Sequence, residues 1–109
     1  MPFRKGDIAW LWLKRYRYAF NDSDFQRRSY REMLEERTAS VPDFPEQLRR
    51  VALEAIVEED VVWIRSGLRA LMEVGKACDV PFVESLREHS DPEVVKDAGT
   101  CLFELRRTG

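Results

Sequence analysis

Two stretches of this chain, thirty-one residues apart, follow the same pattern. "DVVWIRSGLRALMEV" (60–74) laid over "DPEVVKDAGTCLFEL" (91–105) sets Asp60 on Asp91, Trp63 on Val94, Ile64 on Val95 and Arg65 on Lys96. Further along, Gly67 meets Ala98, Ala70 meets Cys101, Leu71 meets Leu102, Glu73 meets Glu104 and Val74 meets Leu105. A repeat at this period implies one supersecondary unit used more than once, with neighbouring copies burying a shared core. Each copy reads as a helix. An opening Asp can cap free N–H groups, and Pro92 suits the first helical position. In the first copy Val61, Ile64, Leu68, Leu71 and Met72 form one apolar stripe, and Trp63, Gly67, Ala70 and Val74 form a second. A helix apolar on two sides is predicted to lie between neighbours. Gly75 then offers a helix stop.

A further helix precedes each copy. "DFPEQLRRVALEAIVEE" has Asp43 and Glu46 at capping-box spacing and sets Leu48, Val51, Ala52, Ala55 and Ile56 on one face. "DVPFVESLREH" has Asp79 as a cap, Pro81 in the first turn, and Val80, Val83 and Leu86 inward. The unit is helix, turn, helix. "SDFQRRSYREMLEERT" supplies a weaker third second-helix, in which Arg28-Ser29 echoes Arg65-Ser66 and Leu34 meets Leu71 at an offset of thirty-seven. Residues 6–20 complete that unit. Ile8, Ala9, Trp12, Leu13, Tyr16, Ala19 and Phe20 fill an arc of about 140° on a helix, with Lys14, Arg15 and Arg17 opposite. A strand would instead line up Trp10, Trp12, Tyr16 and Tyr18, interrupted by Lys14. The helix is preferred, although aromatic richness favours a strand.

The expected architecture is all-α, an α-α superhelix of about three antiparallel helix pairs with units near 6–38, 43–75 and 79–107. A length of 109 residues suits a single domain of this kind. Apolar content of 44% and charged content of 35% exclude disorder, and five Gly with five Pro disfavour a turn-dense β-sandwich. The formal net charge of -2 gives no general drive toward nucleic acid or membrane. The balance is uneven: residues 1–40 hold nine Lys/Arg against six Asp/Glu, and residues 41–109 hold nine against fourteen. Cys78 and Cys101 match no redox or zinc spacing. The opening "MPFRKGDIAW" lacks signal-peptide order, and no apolar run reaches the roughly 20 residues of a membrane span. A soluble, cytoplasmic protein is expected.

The stretch "SDPEVVKDAGTCLFEL" resembles the second helix of a HEAT repeat, in the variant of bacterial and phycobilin-lyase-like arrays. The resemblance is closest over 79–107, looser over 43–75 and faint before that. It departs from the family where a basic residue commonly follows the Val directly; here Val95 and Ile64 intervene before Lys96 and Arg65. The resemblance implies an α-α superhelix serving as a protein-binding scaffold.

No catalytic constellation stands out. His89 is the only histidine, placed where a cation can meet a helix C-terminus. Cys101 replaces Ala70 of the sister copy and reads as a small packing residue. Cys78 has only Lys76 as a basic neighbour in sequence, and Glu58, Glu59 and Asp60 are consecutive, so they do not converge as metal ligands. No cofactor is implied. Candidate partner-binding residues fall in two sets. Trp10, Lys14, Arg17 and Tyr18 lie outside the apolar arc of the first helix and combine aromatic with basic chemistry. Arg28, Arg65 and Lys96 form an expected basic row across the second helices, with Arg69 nearby; Glu73 and Glu104, with Glu36, form an acidic one. The simpler readings are aromatics covering the end of the stack, and solvated charges with local pairs such as Arg69–Glu73. The expected function is a non-enzymatic protein-binding module or small scaffold. Alternatives are a nucleic-acid-binding HEAT-like protein, a lyase-like or other enzyme-associated subunit, and a neutralising partner of another protein. Self-association through the stack ends is also expected as an option.

Overall fold

A computed structural model describes residues 8–15 and 24–108. Within them the chain forms α1 (Ile8–Arg15), α2 (Asp24–Ser40), α3 (Phe44–Ala55), α4 (Val61–Val74), α5 (Val80–Glu84) and α6 (Pro92–Thr108), with short 3-10 turns at Ala77–Asp79 and Ser85–Glu88. No strand occurs among the described residues, so the aromatic stretch opens as a helix.

Local chemistry sets most of these ends. Asp60 Oδ1 accepts the Val62 N–H at 2.9 Å and starts α4, and Asp91 Oδ1 accepts the Glu93 N–H at 2.8 Å ahead of Pro92. Each satisfies one of the N–H groups a helix start leaves without a partner. The capping box expected at Asp43 does not form. Asp43 is already in the α-region rather than the extended conformation of a side-chain cap, and its carboxylate makes no cap hydrogen bond. Glu46 turns instead to Arg49, Arg50 and Lys76. Asp79 is not a cap for α5 either. Its Oδ2 accepts the Lys76 N–H at 2.8 Å, closing the turn before α5, and its carboxylate is wholly buried against Arg49. Gly75 ends α4, but in an extended conformation rather than a left-handed one. Glycine is needed there for space: a Cβ would stand 2.5 Å from the Leu71 carbonyl oxygen and 2.6 Å from Leu105 Cδ2.

Helix α4 is central. Helix α3 folds back on it across the 56–60 turn, and α6 packs on its other side. Ile64, Gly67, Leu68, Ala70 and Leu71 are all buried, as a helix held between two neighbours requires. Gly67 lets α3 come close, since a Cβ there would lie 2.8 Å from the Ala52 carbonyl oxygen. Helices α4 and α6 run in the same direction: Arg65 near the start of α4 reaches Glu93 and Asp97, and Gly75 at its end approaches Leu105. Helix α5 lies on α6. One core runs from Ala9, Trp12 and Leu13 through Phe44, Leu48 and Leu68 to Val94, Leu102 and Leu105. The resulting body measures 38 × 33 × 25 Å.

Helix α1 docks on α3 and α4 with Ala9, Trp12 and Leu13 inward and Leu11 outward, which matches the expected arc. The Trp12 indole N–H donates to the Tyr30 hydroxyl at 2.9 Å. The indole also meets the Tyr30 and Phe44 rings edge-on, at 5.5 and 5.3 Å between centroids. Each such pair adds about 0.5–1.5 kcal/mol beyond burial. The buried Ser66 hydroxyl donates to the Leu13 carbonyl at 2.7 Å and ties α1 to α4.

Candidate functional site

The second-helix surface is organised around one carboxylate. Helix α2 carries Tyr30, Arg31, Leu34, Glu35 and Thr38 at helical spacing, and the last turns of α4 carry Arg69, Glu73 and Val74. Arg69 is buried, with its guanidinium carbon 4.1 Å from the centre of the Tyr30 ring and Nη1 donating to Glu73 Oε1 at 3.0 Å. From α2, Arg31 Nε donates to both Glu73 oxygens, at 3.0 and 3.1 Å. Glu73 is thus clamped between two guanidiniums and only 11% exposed, whereas Arg31 is 52% exposed. The stacked cation and the shared carboxylate hold α2 against α4.

Beside this clamp runs an open groove of about 720 Å³. Leu34, Ala39, Pro45, Val74 and Gly75 give it an apolar strip, and Arg31, Glu35, Glu73 and Lys76 give it charged edges. Its volume lies in the range of sites that take small ligands or a few side chains, about 300–1,000 Å³.

A second charged cluster lies at the α3–α5 corner. Arg49 Nη2 and Nε donate to Asp79 Oδ1 and Oδ2 at 2.7 and 2.8 Å, and Nη1 donates to Glu46 at 3.0 Å. Burial pushes the Asp79 carboxyl upward. The Arg49 hydrogen bonds, the Lys76 N–H and the Arg49 charge outweigh that and hold it below the ordinary carboxylate value. Arg49 Nη2 also lies 3.4 Å from the exposed Cys78 sulfur, a basic neighbour that sequence adjacency does not reveal. The cluster fastens the loop after α4 to α3.

Among the described side chains the expected rows of like charge do not form. Arg65 Nε meets Asp97 Oδ2 at 2.5 Å and Nη2 lies 3.7 Å from Glu93, so the basic residue of one helix finds the acids of the next. Burial raises the Asp97 carboxyl above its usual value, and Arg65 only partly offsets this. Lys96, one residue earlier, is rotated outward and exposed. Glu73 faces α2, while Glu104 pairs with Arg107 at 2.9 Å. Arg69 leaves the candidate surface altogether because it is spent inside, on Tyr30 and Glu73. Arg17 and Tyr18 lie outside the described residues, as do the side chains of Trp10, Lys14 and Arg28. Of the sequence candidates whose side chains are described, only Glu73 borders the groove. Arg31 and Arg49 were missed because their partners stand forty-two and thirty residues away.

Cys101 is fully buried, and burial pushes its thiol up to about 12. His89 stands at the end of the 3-10 turn Ser85–Glu88, as expected, and its Nδ1 accepts the Asp91 N–H at 3.0 Å. Among the described residues no group of three His, Cys, Asp or Glu could hold a metal, and no helix is long and apolar enough to cross a membrane. Compared with known protein families, curated proteins and solved structures, the chain matches none.

Proposed function

We propose that this chain is a non-enzymatic protein-binding module, and that the groove between α2 and the end of α4 receives a short segment of its partner. The observation that carries this reading is the Arg31–Glu73–Arg69 clamp beside the apolar strip. Glu73 fixes Arg31 through Nε, and the two Nη groups of Arg31 make no hydrogen bond to the described residues. They remain available as donors on a residue that lines the groove and is held in place by Glu73. A partner segment with one apolar side chain for Leu34, Ala39 and Val74, and a carboxylate for Arg31, satisfies both halves of the site. Holding Arg31 in place beforehand lowers the ordering cost of binding. The parallel register of α4 and α6, and the fold-back of α3 on α4, support a HEAT-like stack as the scaffold.

Selection from a random peptide library on the immobilised chain tests this. Acidic-apolar peptides are expected, and Arg31→Glu or Ala39→Glu should weaken them at least tenfold with the circular dichroism unchanged. A Trp10→Ala/Arg17→Glu variant in the same assay reads any contribution of the first helix. Peptides indifferent to both groove variants would remove the groove from the reading. A DNA or RNA affinity that falls steeply with salt would replace it with the nucleic-acid alternative.

A further inference from the structure

Two of the exposed apolar side chains among the described residues sit in opposite electrostatic settings. Phe103, 65% exposed, stands on the outward face of α6. Lys96, Arg106 and Arg107 lie one or two turns from it on that side. Arg106 and Arg107 pair with Glu84 and Glu104 but stay more than half exposed. Gly99, one turn before Phe103, has open space where a side chain would stand. Val57, 78% exposed, tops the turn between α3 and α4, with Glu54 one turn before it and Glu58, Glu59 and Asp60 after it. No ion pair joins Glu54, Glu58 or Glu59 to any other described residue.

One surface is basic around an aromatic ring, and the other is acidic around a branched aliphatic. Within one molecule they cannot meet. The turn lies at the start of α4, beside the start of α6, and Phe103 is eleven residues along α6 from Pro92, roughly 16 Å at the helical rise. We infer that the chain associates head to tail with a second copy, the outer face of α6 in one molecule receiving the 54–60 turn of the next. Charge decides against the symmetric alternative. Packing α6 on α6 would set Lys96, Arg106 and Arg107 against their own counterparts, whereas the turn brings carboxylates to them. A contact between two different patches does not close on itself as a two-fold dimer, so it adds molecules successively unless a ring forms. The patches are small, which makes the association weak and dependent on concentration. Neither patch uses the groove, so this inference stands or falls apart from the binding reading.

Sedimentation of the full chain over a dilution series tests it. The average mass should rise with concentration past that of a dimer. It should fall back as salt goes from about 0.1 M, where charges act over roughly 10 Å, to about 1 M, where they act over roughly 3 Å. Phe103→Asp and Val57→Lys should each abolish association, with melting temperatures near that of the unmodified chain. Mixed in equal amounts, the two variants should form a one-to-one dimer and stop, because each retains the patch that the other lacks. A wild-type chain that stays monomeric throughout overturns the inference. So does a Val57→Lys chain that still self-associates, or a mixture that does not pair.

Discussion

Replacing Gly67 by Ala puts the α3–α4 contact to a test in which two effects oppose each other. In a helix interior the exchange favours the helix by about 1 kcal/mol, because Ala loses less backbone freedom. Here the new Cβ would stand 2.8 Å from the Ala52 carbonyl oxygen, 2.9 Å from Ile56 Cγ2 and 3.1 Å from Ala55 Cβ. The nearest of these is backbone, which cannot swing aside as a flexible side chain would. Overpacking of this kind costs about 1–3 kcal/mol, and the crowding of three neighbours favours the upper end. The expected net change is a loss of about 1–2 kcal/mol. Gly99→Ala is the control. It lies in α6 with nothing within 4 Å of the new atom, so only the propensity gain of about 0.5–1 kcal/mol remains. Thermal melts at low concentration, followed by circular dichroism, should show Gly67→Ala falling by roughly 5–15 °C and Gly99→Ala rising by a few degrees. If Gly67→Ala melts at or above the unmodified chain, α3 and α4 are not in backbone contact at this point, and the packing described for the centre of the molecule is wrong.

Removing one partner of the Arg49–Asp79 pair should be far worse than removing both. Arg49→Met strands a buried carboxylate and should cost about 3–5 kcal/mol in urea unfolding, while Arg49→Met/Asp79→Leu should recover most of that. The same pair sets a pH dependence. Because the folded Asp79 carboxyl is held below its unfolded value, its contribution is present above that value, near 4, and is lost as pH falls through the lower folded one. The double variant should lack this part of the acid slope. Thiol titration should find one reactive cysteine in the native chain, the exposed Cys78, and two after unfolding. A native Cys101 that reacts readily would contradict its burial and its raised pKa.

What was legible in the sequence was whatever depends on neighbours along the chain. The Asp60 and Asp91 caps, Pro92 at the start of α6 and the two-sided burial of α4 follow from local pattern, and the structure has them. Cys101 could be read as packing because its sister position is Ala70. The inner side of α1 was readable in Ala9, Trp12 and Leu13 for the same reason. Apart from Asp43, whose own backbone is already helical, and Glu104, which pairs within its own helix, the misses involve a distant partner. Asp79 has the sequence of a cap, and only the arrival of Arg49 from α3 turns it into a buried anion. Arg65 was aligned with Lys96, yet one residue of rotation on a helix is about 100°, enough to exchange an outward lysine for the inward Asp97. Arg31 shows no local sign of its importance, because its meaning lies in Glu73.

The central position of α4 bears on the order in which the chain assembles. Helices α3 and α4 are joined by five residues and can meet by closing a very short loop, at little entropic cost. Helix α6 has no surface to dock on until α4 exists, and the Ser66 hydroxyl that holds the end of α1 is also carried by α4. The α3–α4 hairpin is therefore the natural folding nucleus, with the flanking helices condensing on either side. In the finished molecule the amides of α4 should be the last to exchange with solvent, since opening them requires both neighbours to leave first.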